Sequence, residues 1–245
     1  MKLFSQFLGL LIFSFSLSVF ANESTDRVMN SNDPYEHFNR SMFDFNIGFN
    51  NHVGKPLTHL YESALPQPAK TGISNFFANL TTPISALNSF LQGKGEDGFS
   101  EIMRFSLNST FGFFGLIDIA SAAGLEAKEE DFGQTLYHWG VWKESSYLVL
   151  PILGPYTTRE LAGGTIDTIS DPVYPNIIKT DSEGRIWIFI GDKFVEYTQV
   201  AGLIDEVQNQ PDPYVFARES YLQHRTNQIY DGNVPQPTLD DFDFE

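Results

Sequence analysis

Gly93, Gly95 and Gly98 fall at the G-x-G-x-x-G spacing that lets a backbone wrap the pyrophosphate of a dinucleotide. That chemistry requires a strand before the glycines and a helix after them. The residues leading in, Asn88 to Gln92, continue a helical pattern, so the motif reads as a turn between helices. The histidines His37, His52, His59, His138 and His224 form no His-Glu-x-x-His pair and no metal-ligand spacing. His37, next to Glu36, reads as solvated helix surface. No Gly-x-Ser-x-Gly elbow is present. The absence of cysteine excludes thiol catalysis, cysteine-bound zinc and lipidation through an N-terminal cysteine. No catalytic residue, metal or cofactor is therefore expected. A secreted hydrolase with a dispersed polar dyad is the rival reading, and no dyad stands out to support it.

Basic residues are scarce, which singles out Arg40, Arg104, Arg159, Arg218 and Arg225. A guanidinium matches a lipid phosphate bidentately. The same residues can instead hold helices together through ion pairs, and with 31 acids available the pairing role is favoured. The formal net charge is −16 over 245 residues. Such a chain is repelled by nucleic acid and gains no long-range attraction to an anionic bilayer, so any membrane contact must be apolar.

Residues 1–21 resemble an export signal: Lys2 gives a basic start, Leu3 to Val19 an apolar run, and Val19-Phe20-Ala21 a small-residue cleavage site. An uncleaved N-terminal membrane anchor is the alternative. Residues 22–32 read as a polar, flexible leader, and residues 231–245 as an acidic, proline-containing disordered tail. The stretch between, 33–230, reads as a single domain.

Within it, Asp33-Pro34-Tyr35-Glu36 looks like a helix start, with Asp33 as cap and Pro34 at the first position. Tyr35, Phe38, Met42, Phe45 and Phe49 then recur at three- and four-residue steps, opposite Glu36, Asn39, Arg40, Asp44, Asn46 and Asn50. That pattern predicts an amphipathic helix with an aromatic face. A helix is expected after Pro66-Gln67-Pro68 and a separate one from Thr81-Thr82-Pro83. Another is marked by Phe99, Ile102, Met103 and Leu107. Phe111 to Ala123 is apolar almost all round, so it must be buried in protein or in lipid; Phe111, Phe113 and Phe114 lead it. Leu136 to Val141 and Tyr147 to Leu150 are expected as two arms of a hairpin turning at Lys143 to Ser146. Helices resume at about 158–170, 182–207 and after Asp212-Pro213. The class is mainly α.

These blocks resemble the MlaA/VacJ family. The resemblance rests on Asp33-Pro34-Tyr35-Glu36-His37-Phe38-Asn39-Arg40, on Gly72 to Leu80, Asn88 to Gly93, Arg104 to Thr110 and Asp131 to Leu136. Tyr147 to Pro151 and Asp212-Pro213-Tyr214 with Arg218 and Tyr221 extend it. The blocks are colinear from Asp33 to about Arg225. The resemblance implies a ring-like bundle of amphipathic helices in the periplasmic leaflet of the outer membrane, around an amphipathic channel. It implies removal of mislocalised outer-leaflet phospholipid and its transfer to a soluble periplasmic carrier, with porin trimers as partners. A porin-binding structural protein that carries no lipid is the alternative. This chain departs from the family in lacking a lipidated cysteine and in a glycine-poor stretch, Tyr137 to Glu144. Tyr35, Phe38, Met42, Phe45, Phe49, Phe111, Phe113 and Phe114 are the expected lipid-contacting residues, and Gly133, Trp139 and Gly140 the candidate gate.

Overall fold

The computed structural model describes residues 33–172 and 182–235. The expected signal, the leader up to residue 32 and the tail from residue 236 lie outside them. Helix α1 (Glu36–Phe49) runs through a π-turn at Asn50–Gly54 into α2 (Lys55–Ala64). α3 (Gln67–Leu91) and α4 (Gly95–Thr110) follow, then a short α5 (Ile119–Ala122) and α6 (Phe132–His138). Strands β1 (Tyr147–Leu150) and β2 (Gly154–Thr157) form an antiparallel hairpin, with Tyr147 opposite Thr157 and Leu150 opposite Gly154. Three helices complete the described residues: α7 (Thr158–Ser170), α8 (Ser182–Gln208) and α9 (Pro213–Ile229). The mainly α class holds, with the last three helices where the pattern put them.

Three local expectations are corrected. α1 has no side-chain cap. Asp33 is buried and accepts instead from Asn39 Nδ2 at 2.8 Å, Arg218 Nη1 at 3.0 Å and the Tyr214 hydroxyl. Charge-assisted donors outbid a helix N–H for a carboxylate taken out of water. Second, α3 does not break at Pro83; the chain stays helical through it. Thr81 and Thr82 turn their hydroxyls onto the Ala78 carbonyl, and the helix lies along α4, tied to it by Asn79 Nδ2 on Ser109 Oγ at 3.0 Å. Tertiary packing overrides the local cost of the proline.

Third, the hairpin is displaced. Leu136 belongs to a helix, because Asp131 caps α6 by accepting from Gln134 N, while Gln134 Oε1 accepts from Asp131 N. Tyr147–Leu150 is a strand as expected, but its partner follows it, with the turn at Pro151 to Leu153. α1 completes the pairing. Asn39 donates to Tyr147 O (3.1 Å) and accepts from Val149 N (2.9 Å); two turns on, Asn46 donates to Leu150 O (2.9 Å) and accepts from Ile152 N (2.6 Å). Each side-chain amide acts as a peptide group would, so α1 serves as the missing neighbour of an edge strand.

The glycine motif is an interhelical turn, as read. Gly93 has φ of 80°, Lys94 precedes the first turn of α4, and Gly98 makes room for the Phe90 ring. At the π-turn, Gly54 leaves space for the Tyr197 ring of α8, whose hydroxyl bonds Asn50 Oδ1. A Cβ there would collide with it.

Candidate functional site

The interior of this fold is polar. Buried apolar residues among the described ones are Leu80, Ala86, Ala120, Tyr147, Val149, Val195 and Tyr214, and buried polar or charged residues outnumber them. Asn39, Asn88, Ser89 and Thr135 are wholly enclosed. A buried polar group is tolerable only when bonded, and these groups are. Asn88 donates to Asp167 Oδ1 (2.8 Å) and accepts from Thr135 Oγ1 (2.9 Å). Glu130 gathers Gln92, Gln134 and Lys94 at 2.8, 2.8 and 2.6 Å. Arg225 reaches Asp131 at 2.6 Å. α3, α6, α7 and α9 are stitched together by this network.

The apolar side chains face outward. Phe111, Phe113 and Phe114 are 67%, 68% and 78% exposed at the tip between α4 and α5. Phe113, Phe114 and Gly115 have φ of 52°, 60° and 94°, three successive left-handed residues that turn the rings away from the body. Two of these are not glycine, and that conformation carries a backbone cost. Nearby on α4, Phe99, Ile102 and Met103 are exposed, as are Val53, Leu57 and Leu60 along the π-turn and α2. Ile186, Trp187, Phe189 and Ile190 present a broad apolar arc at the start of α8. Single exposed apolar residues need no explanation, but contiguous patches rimmed by a polar interior mark contact with lipid or protein. Among the described residues no helix is long and apolar enough to cross a membrane.

On α1, Tyr35 and Phe45 are exposed, and Phe38 and Phe49 are partly buried. Met42 packs with Phe43 against the Tyr147, Val149 and Tyr214 cluster. Gly133 sits in a close α6–α7 contact, where Gly163 leaves room for its backbone. Trp139 caps α6, donates through Nε1 to Leu91 O at 2.8 Å and stacks edge-on against Phe132. Gly140, with φ of 71°, opens an irregular loop to Ser146, and Val141 on that loop is 71% exposed. The loop is thus entered beside an anchored tryptophan.

Four of the arginines singled out above form ion pairs: Arg40 with Glu36 and Asp212, Arg104 with Glu101 and Asp118, Arg218 with Asp33 and Glu219, Arg225 with Asp131. Arg159 differs, donating to the Trp142 and Lys143 carbonyls. Sequence reasoning passed over the exposed α2 residues, although Val53, Leu57 and Leu60 carry the same helical spacing used to find α1. Among the described residues, no group of histidines and acids could hold a metal.

A model of the MlaA lipoprotein family matches residues 31–228. This chain belongs to the MlaA family. It is 34% identical over 222 residues to the intermembrane phospholipid transport system lipoprotein MlaA of Escherichia coli (strain K12), covering 89% of this chain and 85% of that one. The Haemophilus influenzae MlaA is 29% identical over 227 residues, at 87% and 85% coverage. An uncharacterised protein of Rickettsia prowazekii is 33% identical over 203 residues, covering 80% of each. A chain solved in work on the structural basis for maintenance of bacterial outer membrane lipid asymmetry superposes with a TM-score of 0.68 at 35% identity. It matches 82% of this chain and 99% of that one. The polar core and apolar exterior described above are therefore features of a chain with the MlaA fold.

Proposed function

We propose that this chain moves phospholipid at the outer membrane, taking mislocalised outer-leaflet lipid and passing it to a periplasmic carrier, so that lipid asymmetry is kept. One observation carries the reading: the chain buries hydrogen-bonded asparagines and ion pairs while turning Phe111, Phe113, Phe114, Phe45 and the α8 arc outward. A surface of that kind is stable against acyl chains and unstable against water. Family membership adds relatives named for intermembrane phospholipid transport.

In this reading residues 1–21 are the export signal, 22–32 the leader, 33–230 the transport domain, arranged as a ring, and 231–245 the acidic tail. The sequence contains no cysteine, so attachment falls to the apolar exterior and to porin trimers. Burying one Phe is worth about 1.5–3 kcal/mol, so three rings at one tip contribute about 4.5–9 kcal/mol, comparable to the roughly 5.5 kcal/mol of one myristoyl chain. The outer-membrane position faces the periplasm, and the movable element is the loop entered at Gly140. The test is fractionation of the envelope followed by lipid mass spectrometry on the purified chain. Outer-membrane recovery with bound phospholipid is expected. A water-soluble, lipid-free periplasmic protein would overturn the proposal.

A further inference from the structure

Arg159 is 3% exposed in a protein rich in acids, yet among the described residues no carboxylate reaches it at ion-pair distance. Arg104, Arg218 and Arg225, buried to a similar degree, each have one. Instead Arg159 Nη1 donates to two backbone carbonyls, Trp142 O at 3.1 Å and Lys143 O at 2.8 Å. Its guanidinium lies 5.1 Å from the centroid of the Tyr137 ring, and its Nε, like those of Arg104 and Arg225, is buried without a hydrogen-bond partner. Carbonyl dipoles solvate a cation less well than an anion does. The charged groups around it are Arg225, Asp131 and Glu160, and Asp131 is already engaged by Arg225. Burial, followed by the nearby Arg225, holds the Arg159 pKa below its ordinary value, as expected of a cation short of counter-charge.

Both carbonyls belong to the loop that opens at Gly140. The far end of that loop is clasped to the start of α7: Arg159 N donates to Ser145 Oγ (2.9 Å), Ser146 N to Thr158 Oγ1 (3.2 Å) and Thr158 N to Ser146 O (2.9 Å). Gly140 has no close neighbour at its Cβ position except Lys143 Cε at 3.6 Å, and the near end is tied to α6 by Val141 N and Trp142 N on Leu136 O at 3.1 and 3.2 Å. Between these two anchored ends, the Trp142 and Lys143 carbonyls are held by one side chain that has no carboxylate at ion-pair distance among the described residues.

We propose that Arg159 is an exchangeable latch, in which the phosphodiester of an arriving phospholipid takes the guanidinium from the Trp142 and Lys143 carbonyls and so frees the loop. The proposal rests on the phospholipid reading above. A phosphodiester offers two anionic oxygens at the spacing of a guanidinium fork, which two carbonyls cannot match in charge. Lipid capture and loop release are then a single exchange, and coupling follows from the ligand's preference for the released state.

Hydrogen exchange on the full chain in detergent micelles tests it, reading the amides of residues 141–146. Wild type, R159Q, R159K and S145A are compared without additive, with dihexanoyl phosphatidylglycerol and with inorganic phosphate; native mass spectrometry counts bound lipid. Short-chain lipid should speed wild-type loop exchange roughly tenfold. R159Q should exchange fast from the outset and ignore lipid. R159K, which keeps charge but loses the fork, should respond weakly. S145A should start faster yet still respond. Lipid bound by wild type with an unchanged loop, or an R159Q loop that responds as wild type does, would overturn the latch alone. A full response to inorganic phosphate would assign a free-anion site and also overturn it. Wild type binding no lipid would sink the transport reading and the latch together. If R159Q fails to fold, by circular dichroism, the R159K and S145A comparison decides.

Discussion

Arg218 donates to Asp33 across 185 residues of chain, Nη1 to Oδ2 at 3.0 Å, with the Asp33 side chain fully enclosed. The relationship is reciprocal. Arg40, on the helix that follows Asp33-Pro34, reaches back to Asp212 at 3.1 Å, and Asp212-Pro213 begins the helix that carries Arg218. Both guanidiniums lie over the Tyr214 ring, Arg40 at 4.4 Å and Arg218 at 5.8 Å. The two ends of the described domain are thus closed on one another by exchanged charges.

The two pairs should differ sharply in worth. Asp33→Asn removes the buried anion and leaves Arg218 only the half-exposed Glu219, and should cost about 3 kcal/mol of unfolding free energy. Asp212→Asn keeps an oxygen for Val215 N, acts at a half-exposed pair and should cost no more than about 1 kcal/mol. Urea denaturation in detergent separates them; equal losses would show that burial does not set the scale here.

Adjacent glycines on α7 make a second contrast. A Cβ at Gly163 would run into the Gly133 backbone, whereas at Gly164 it meets nothing within 4 Å. Gly163→Ala should therefore force α6 and α7 apart and lower Tm. Gly164→Ala should raise stability by up to about 1 kcal/mol through helix propensity and a less flexible unfolded chain. Thermal melts of the two variants check both signs.

The tip between α4 and α5 should grip membrane without supporting the fold. Replacing Phe113 and Phe114 together by Ser removes about 3–6 kcal/mol of apolar transfer, a weakening of vesicle partition by roughly a hundredfold or more. Far-UV circular dichroism and the melt in detergent should be unchanged. Loss of fold instead would place the rings in the core.

Stability should rise as pH is lowered from neutrality and then decline. Burial raises the carboxyls of Glu101, Glu130, Asp167 and Asp192. Such a group stabilises the fold fully below its unfolded pKa, and the contribution disappears as pH rises through the higher folded pKa. Asp118 runs the other way. Its burial is outweighed by bonds from Ser121 and Asn108 and by Arg104, and it sits at about 2. Its contribution is present above the unfolded pKa of 3.8 and is lost as pH falls toward 2. Tm should climb as pH falls from neutrality toward the unfolded carboxyl values of 4.5 and 3.8, and fall back below 3.8 as Asp118 takes up its proton. A Tm that falls steadily from pH 7 would contradict this balance.

Much of the helical frame was legible because its signals are local. Asp212 caps α9 by accepting from Val215 N at 3.1 Å, as an Asp-Pro start predicts. The same dipeptide at Asp33 misled, since a partner far along the chain claimed the carboxylate, and local spacing carries no trace of Arg218. Pro83 misled for a like reason, the packing of α3 on α4. Tyr147–Leu150 was recognisable as a strand, but the choice of neighbour depended on two asparagines of α1. For the site, spacing found the aromatic residues of α1 without telling Met42, turned to the core, from Phe45, turned out. Arg159 stood out by scarcity alone; its unmatched charge appears only when the acids have been placed in space.

The polar interior redistributes where this chain can vary. On the proposed lipid-facing outside, any apolar side chain of suitable bulk should do the work of Phe45, Leu60 or Phe114, because acyl chains impose no direction. Inside, Asn39 and Asn88 each satisfy a donor and an acceptor at fixed positions, and no hydrophobic replacement can do so. In a water-soluble globule the strict positions are apolar and the permissive ones polar. Here the strict alphabet is the hydrogen-bonding one, and random mutagenesis should find tolerance spread over the surface proposed to touch lipid.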